Sequence, residues 1–402
     1  MSSSDSGQRG RIRKRIVVCL AGLLFSVIGS AWAANQSAPQ SPQSAAHGVA
    51  ESRAVHLRRG INLSNWFAQV SDPAGYTQQH FQTAITAQDL ALIRQMGFDY
   101  VRLPVDPAPM FHTGRAGEIS GDYLSYLDAA LKMALDQNLS AIVDIHPSDD
   151  FKHQLATNDT FVEEYADFWR ALAGHYATMD PNRVFFEILN EPELTDSYRW
   201  YGVQAKLADA IREGAPQHTI IATGAHWSDD DDLVFLEPIR DANVIYNFHY
   251  YEPHLFTHQG ATWSVNYWRL LSGLSYPSDP KNARKVAESI PDAQHRLTVV
   301  RYGYDHWDAA RIDADIDQVS QWAKHWNVPV ICDEFGAYRK KSNPDDRARW
   351  LADVRTALEK YGFGWAMWDY DGGFAVVNKA NGQIAADPAT MRALGLSVPA
   401  GR

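Results

Sequence analysis

Short apolar runs alternate with longer amphipathic ones along most of this chain, and the two periods separate strands from helices. Runs of strand length lie near Arg59 to Asn65, Tyr100 to Leu103, Ala141 to His146, Val184 to Asn190, Thr219 to Thr223, Val244 to His249, Val328 to Glu334 and Gly364 to Trp368. Between them the helical period predicts helices over Ala87 to Met96, Tyr123 to Gln137, Thr160 to Tyr176, Tyr198 to Glu213, Ile312 to His325 and Asp345 to Tyr361. Ile316, Val319, Ala323 and Trp326, for instance, fall on one face of a helix. Glycine closes several of these segments, as in Met96-Gly97 and Tyr361-Gly362. Eight strands alternating with helices in one unbroken series predict an α/β fold, a (β/α)8 TIM barrel, as a single catalytic domain over residues 52–402. An open doubly wound sheet is the alternative, but no Gly-rich phosphate loop follows the first strand. Tyr251 to Trp307 is long and poor in helical period, which predicts an elaborate loop after the sixth strand. The acidic run Asp229 to Asp232 predicts a solvated loop or a helix N-terminus.

The pattern is different before residue 52. Arg11, Arg13, Lys14 and Arg15 precede an apolar stretch from Ile16 to Ser30, and Ala31-Trp32-Ala33 offers a cleavage site, so residues 1–33 are expected to be a signal peptide. The apolar stretch is short for a spanning helix, which needs about 20 residues. Residues 34–51, rich in Ser, Gln, Ala and Pro, are expected to form a disordered linker. The expected location is therefore secreted or periplasmic, with no membrane partner once the signal is removed and a monomer as the working state.

Charge and composition narrow the function. The 402-residue chain carries a net charge of −11, and removing five basic and one acidic residue with the signal deepens this to −15. That sign argues against nucleic acid as a partner. Thirteen Trp and eighteen Tyr are a surplus that is usually core material and is also what lines sugar-binding clefts, because flat rings cover the apolar faces of pyranoses. Cys19 lies in the signal, so Cys332 would remain alone, without an internal disulfide; it is expected to be a small buried strand residue.

Candidate chemistry sits at the strand ends, which form the active face of such a barrel. Two apolar runs end in a glutamate: Val184 to Asn190 leads into Glu191-Pro192, and Val328 to Asp333 leads into Glu334-Phe-Gly336. Carboxyls at the rim of buried strands are where a pKa can be raised enough to act as an acid near neutrality. Two of them are what glycoside cleavage needs: one protonated carboxyl for the leaving oxygen and one carboxylate beneath the anomeric carbon. Other strand ends supply Arg102, His146, Asn190, His249, Tyr251 and Trp368 as candidate substrate-binding residues. Arg102 would keep one glutamate ionised and Tyr251 would donate its hydroxyl to the same oxygen. Asn190 would bond the sugar 2-hydroxyl, and the Trp368 indole would form a floor beneath the ring. Glu187, at strand period from Glu191, is expected to be a buried structural acid with an unnamed partner. Trp66, Trp200, Trp227 and Trp263 follow predicted strands and are candidates to stack on further sugar units.

These segments resemble the motifs of glycoside hydrolase family 5, the cellulase-type retaining hydrolases. The resemblance rests on Arg59-Gly-Ile-Asn62, Val101-Arg-Leu-Pro104, Asp144-Ile-His146, Phe186-Glu-Ile-Leu-Asn-Glu-Pro192, Asn247-Phe-His-Tyr-Tyr251, Asp333-Glu-Phe-Gly336 and Trp365-Ala-Met-Trp-Asp-Tyr370, spanning about residues 58 to 377. It implies Glu191 as acid/base and Glu334 as nucleophile, a distinction the residues alone leave open. It also implies a β-glycan substrate and leaves open which one, since members act on cellulose, mannan and β-1,3-glucan; a β-glucan is the expected substrate here, with no cofactor and no metal. An endo-β-1,4-glucanase is the expected activity. An exo-β-1,3-glucanase or β-mannanase of the same family, and a glycan-binding barrel that does not cut, are the alternatives. A metal-dependent hydrolase would want His-x-His at the first strand, where this chain has Asn62-Leu-Ser-Asn65.

Overall fold

The computed structural model describes residues 42–70, 73–380 and 383–399; the expected signal peptide and the linker up to residue 41 lie outside the described residues. Eight parallel strands close into a barrel in chain order: β1 Arg59–Asn62, β2 Tyr100–Val105, β3 Ser140–Ile145, β4 Val184–Glu187, β5 Thr219–Thr223, β6 Val244–Tyr250, β7 Val330–Phe335 and β8 Gly364–Met367. β8 returns to pair with β1, so no edge is left unpaired. All six predicted helices form, among them Asp159–Tyr176, Ser197–Gly214 and Ala309–Trp326. Their starts are set by side chains that accept from first-turn amides, such as Asp196 from Tyr198 N and Arg199 N.

Inside the barrel the strand period of two stacks residues in layers. The lowest layer is apolar: Tyr100, Ile142, Phe185, Ile221, Ile245, Ile331 and Ala366 form one buried cluster. Two positions further along the same strands lie Arg102, Asp144, Glu187, Thr223, Asn247, Asp333 and Trp368, all of them buried. A polar layer therefore rests directly on an apolar floor, at the height where the strands end.

The floor is sealed from below by an element the sequence pattern did not predict. Pro42–Ala54 is a helix, so the expected linker is helical from Pro42 onward. Ala50 and Leu57 join the apolar floor cluster, and the Arg53 guanidinium donates to Asn182 Oδ1 (3.1 Å), Gln217 O (2.5 Å) and Thr219 Oγ1 (3.0 Å). So few of its residues are apolar that composition alone reads as linker; what holds the helix is the open end of the barrel. The segment after β6 likewise contains helices at Pro280–Ala287 and Ala293–Tyr302, started by Asp279 and Asp292 caps. Both are too short for their period to stand out. The acidic run forms a single helical turn, Asp230–Leu233. Among the described residues no helix is long and apolar enough to cross a membrane.

Candidate active site

Arg102, on β2, is fully buried and organises the polar layer. Its guanidinium grips Glu187 through Nε and Nη2, both at 2.7 Å, which supplies the partner the sequence left unnamed. Nη1 donates to Glu334 Oε1 at 2.5 Å and Asn62 Oδ1 at 3.0 Å, while Nη2 also reaches Asn190 Oδ1 at 3.0 Å and Asp144 Oδ2 at 3.1 Å. One fixed cation thus serves several buried acids, a geometry a planar fork can hold and an ammonium cannot.

Glu334 reaches this layer through an irregularity in β7. The β6–β7 register pairs Phe248 with Cys332 but His249 with Glu334, a one-residue slip that lets Asp333 and Glu334 both turn inward. Tyr251 donates to Glu334 Oε2 at 2.9 Å, so each carboxylate oxygen has a donor. Burial raises the Glu334 carboxyl and the charge of Glu191 adds to this, against His249 and Arg102. Against this, Arg102 and Tyr251 both donate to the carboxylate, and hydrogen bonds to the charged form favour the anion. Burial, with Glu334 beside it, pushes the Tyr251 phenol well up, so that it stays a donor.

Glu191 stands just past β4 with φ 45°, a left-handed backbone that is uncommon outside glycine and clusters at functional sites. The turn carries its carboxyl back over the barrel mouth, where Oε1 meets His249 Nδ1 at 3.0 Å. One oxygen of Glu191, one of Glu334 and a ring nitrogen of His249 all lie within 4.8 Å of one another. The raised carboxyl expected at position 191 is not what the site contains. Burial does push it up, but the hydrogen bond and charge of His249, with Lys152 and His146 behind them, bring it down to about 2. Burial lowers the His249 imidazole, yet Glu334, Asp333 and Glu191 outweigh that and raise it well above its ordinary range. These charges draw the proton of the pair toward His249, one hydrogen bond from Glu191.

The remaining predicted residues converge on the same mouth. His146 Nδ1 faces Asp144 Oδ2 at 3.2 Å, and its Nε2 receives the amides of Gln69 (3.1 Å) and Asn190 (3.3 Å). Trp368 lies nearly parallel to the His146 ring, centroids 5.9 Å apart. The four candidate stacking tryptophans divide. Trp66 and Trp200 are buried, with indole nitrogens bonded to Phe81 O and Thr223 O, and so are core rather than cleft residues. Trp227 and Trp263 are each more than half exposed, at 52% and 56%. Trp227 N donates to Pro192 O at 2.8 Å, beside Glu191, whereas Trp263 packs on Tyr338 and Phe374, beyond β7 and β8. Cys332 is buried, and burial raises its thiol far from reactivity.

Two triads, Glu187–His249–Asp333 and Glu191–His249–Glu334, are close enough to share an ion. Their oxygens already have donors, however: Asn247 Nδ2 bonds both Asp333 oxygens at 2.8 Å, and Arg102 holds Glu187 and Glu334. The positive charge these acids need comes from the guanidinium and the imidazolium.

The arrangement is one carboxylate clamped by two donors, facing a second carboxyl that shares a proton with an imidazole, at the mouth of an eight-stranded barrel. A family model for cellulase (glycosyl hydrolase family 5) matches residues 64–373. The chain belongs to glycosyl hydrolase family 5. Within that family, endoglucanase C of Acetivibrio thermocellus is 29% identical over 322 residues, covering 79% of this chain and 92% of that protein. A solved endoglucanase superposes with a TM-score of 0.71 at 26% identity, covering 86% of this chain and 99% of its own. The cellulose synthase subunit Z of Clostridioides difficile superposes with a TM-score of 0.68 at 25% identity, covering 84% and 99%. In this family 5 barrel Asp144, Asn247, Asp333 and Asn62 belong to the hydrogen-bonded layer although the strand-end reading did not single them out. For three of them the signal was the strand period: Asp144 lies two before His146, Asn247 two before His249, and Asn62 two after Gly60, which packs inward against the Tyr100 ring; Asp333 had none, since the β7 slip brings it in.

Proposed function

We propose that this glycoside hydrolase is a secreted endo-β-1,4-glucanase that works with retention of configuration. The observation that carries the retaining mechanism is that both carboxylates reach one nitrogen, His249 Nδ1, 3.0 Å from Glu191 and 3.5 Å from Glu334, with one oxygen of each within 4.8 Å of the other across the barrel mouth. Retaining enzymes hold their carboxyls about 5–5.5 Å apart, whereas inverting ones need roughly 6.5–9.5 Å to admit a water. Glu334, ionised between Arg102 and Tyr251, attacks the anomeric carbon as the glycosidic bond breaks. A sugar filling the groove strips water from Glu191, and the proton on His249 crosses the 3.0 Å bond to that carboxyl and on to the leaving oxygen. In the second half Glu191, ionised again, takes a proton from water. The hydroxide oxygen bonds the anomeric carbon and Glu334 leaves as carboxylate.

Exposed indoles on both flanks, Trp227 by the acid and Trp263 by the nucleophile side, support internal cleavage of a chain that runs through the cleft. Relatives named endoglucanase support the β-1,4-glucan substrate. The test is product analysis on carboxymethyl cellulose, laminarin and mannan. Viscosity of the cellulose solution should fall well before reducing ends accumulate; sugar release only from laminarin or mannan rejects the substrate. Export rests on the basic and apolar start of the chain. N-terminal sequencing of the protein outside the cytoplasm should begin near Ala34, and an intact Met1 there would reject cleavage.

A further inference from the structure

A lysine is buried close to the acid. Lys152 sits on the helix Asp149–Thr157, which starts just past His146 at the end of β3, and only 5% of it is exposed. The helix is held firmly: Phe151 packs edge-on against Phe111, Phe161 and Tyr165, and Leu155 O accepts from Arg199 Nη2 at 3.2 Å. Lys152 Nζ donates to Glu193 Oε1 at 3.0 Å. Glu193 follows Glu191 across Pro192, so this ion pair ties the helix after β3 to the segment that carries the acid. Stability does not account for it. Taking an ammonium out of water is unfavourable, and one carboxylate that is itself 27% exposed offsets little of that. The charge acts on Glu191 instead. Burial disfavours the Glu191 anion, and among the charges that restore it Lys152 comes next after His249 and ahead of His146.

We infer that Lys152, held by Glu193, is a positioning residue for the acid: its ammonium keeps Glu191 ionised beside His249 between turnovers, and the balance of charge in the Lys152–Glu193 pair sets the highest pH at which Glu191 and His249 still hold the proton for the leaving oxygen. This rests on the proposed role of Glu191 as acid/base. Neither Lys152 nor Glu193 needs to touch substrate. The signs follow from charge alone: a cation near Glu191 and His249 makes their proton easier to lose, and an anion beside that cation partly cancels it. Glu191 also faces His146 after β3, Asp229 after β5, His249, Tyr251, His254 and His258 on and after β6, and Glu334 on β7. Those groups are common to wild type and to variants at positions 152 and 193, so a displaced pH limb reports the Lys152–Glu193 pair itself.

The experiment follows kcat/KM on cellohexaose across the alkaline limb for wild type, Lys152→Met, Lys152→Arg and Glu193→Gln. Lys152→Met should carry the limb up by about half a unit to one unit, and Glu193→Gln should carry it down by roughly a few tenths of a unit. Lys152→Arg keeps the charge and should leave the limb near that of wild type. Opposite displacements are what a packing role would not produce, since Lys152→Met and Glu193→Gln lose the same ion pair. A limb that stays in place in Lys152→Met, or that moves the same way in Lys152→Met and Glu193→Gln, overturns the inference. Glu193 is partly exposed, so Glu193→Gln carries the test if Lys152→Met does not fold, and a limb that fails to move down then overturns it. Glu191→Ala that cleaves cellohexaose as fast as wild type removes the acid/base reading instead, which is a different failure.

Discussion

Replacing Arg102 by Met tests whether one cation holds the polar layer together. In the intact site Arg102 lies 2.7 Å from Glu187, 3.1 Å from Asp144 and 2.5 Å from Glu334, with no solvent exposure of its side chain. Methionine fills much of the volume but leaves three acids without their counter-charge. Removing one partner of a buried pair costs about 3–5 kcal/mol, because the other charge stays desolvated. At ~2 °C per kcal/mol for a large domain, melting at pH 7 should fall by about 6–10 °C. The deficit should depend on pH. Burial pushes the Asp333 carboxyl up, yet Arg102 and His249 hold it below its ordinary range, so the variant lets it rise. A folded pKa that moves up in the variant weakens the fold only above the wild-type folded pKa. The deficit should therefore be smaller near pH 4, where the variant's carboxyl takes up a proton, and larger at pH 7. Losing the charge-assisted bond to Glu334 should also cut kcat at least about tenfold even where the protein is folded. Calorimetric melting from pH 4 to 7 is the assay. A deficit that is flat with pH, or greater at pH 4, would refute the shared-cation argument.

Tyr251→Phe removes a donor to the anionic form of Glu334, so the acid limb of the kcat/KM profile should move to higher pH by roughly half a unit to one unit. A limb that stays in place would show that Tyr251 does not stabilise the carboxylate. Arg53→Ala, at the opposite end of the barrel, should lower stability by roughly 1.5–3 kcal/mol through its three lost hydrogen bonds while kcat/KM holds. Thermal unfolding and a standard rate assay separate the two effects, and unchanged melting would mean that the helix Pro42–Ala54 does not seal the floor.

The barrel was legible because its eight strands are buried on both faces and, β6 excepted, each is bounded by a helix of regular period, so apolar runs marked the strands directly. β1 and β4 end earlier than the runs suggested, at Asn62 and Glu187, because the chain leaves the ladder while still buried. The site residues were legible because they follow those runs at one end of the barrel. What was hidden depends on contacts distant in sequence. The β7 slip that turns Asp333 and Glu334 inward together is visible only against β6, and Trp200 is core because Thr223 O meets its indole. Composition could not reveal Pro42–Ala54 as a helix, since its stability comes from the floor cluster. The protonation order also escaped the sequence: position at a strand rim argued for a raised Glu191, but an imidazole 3.0 Å away decides the sign.

The division of labour between the two glutamates is tested most directly by covalent trapping. A 2-deoxy-2-fluoro-cellobioside with a good leaving group slows the second step more than the first, so the glycosyl-enzyme accumulates. Peptide mass spectrometry should then find a single adduct, on Glu334, formed in wild type and absent from Glu334→Ala. An adduct on Glu191, or full turnover with inverted product and no adduct, would contradict the account.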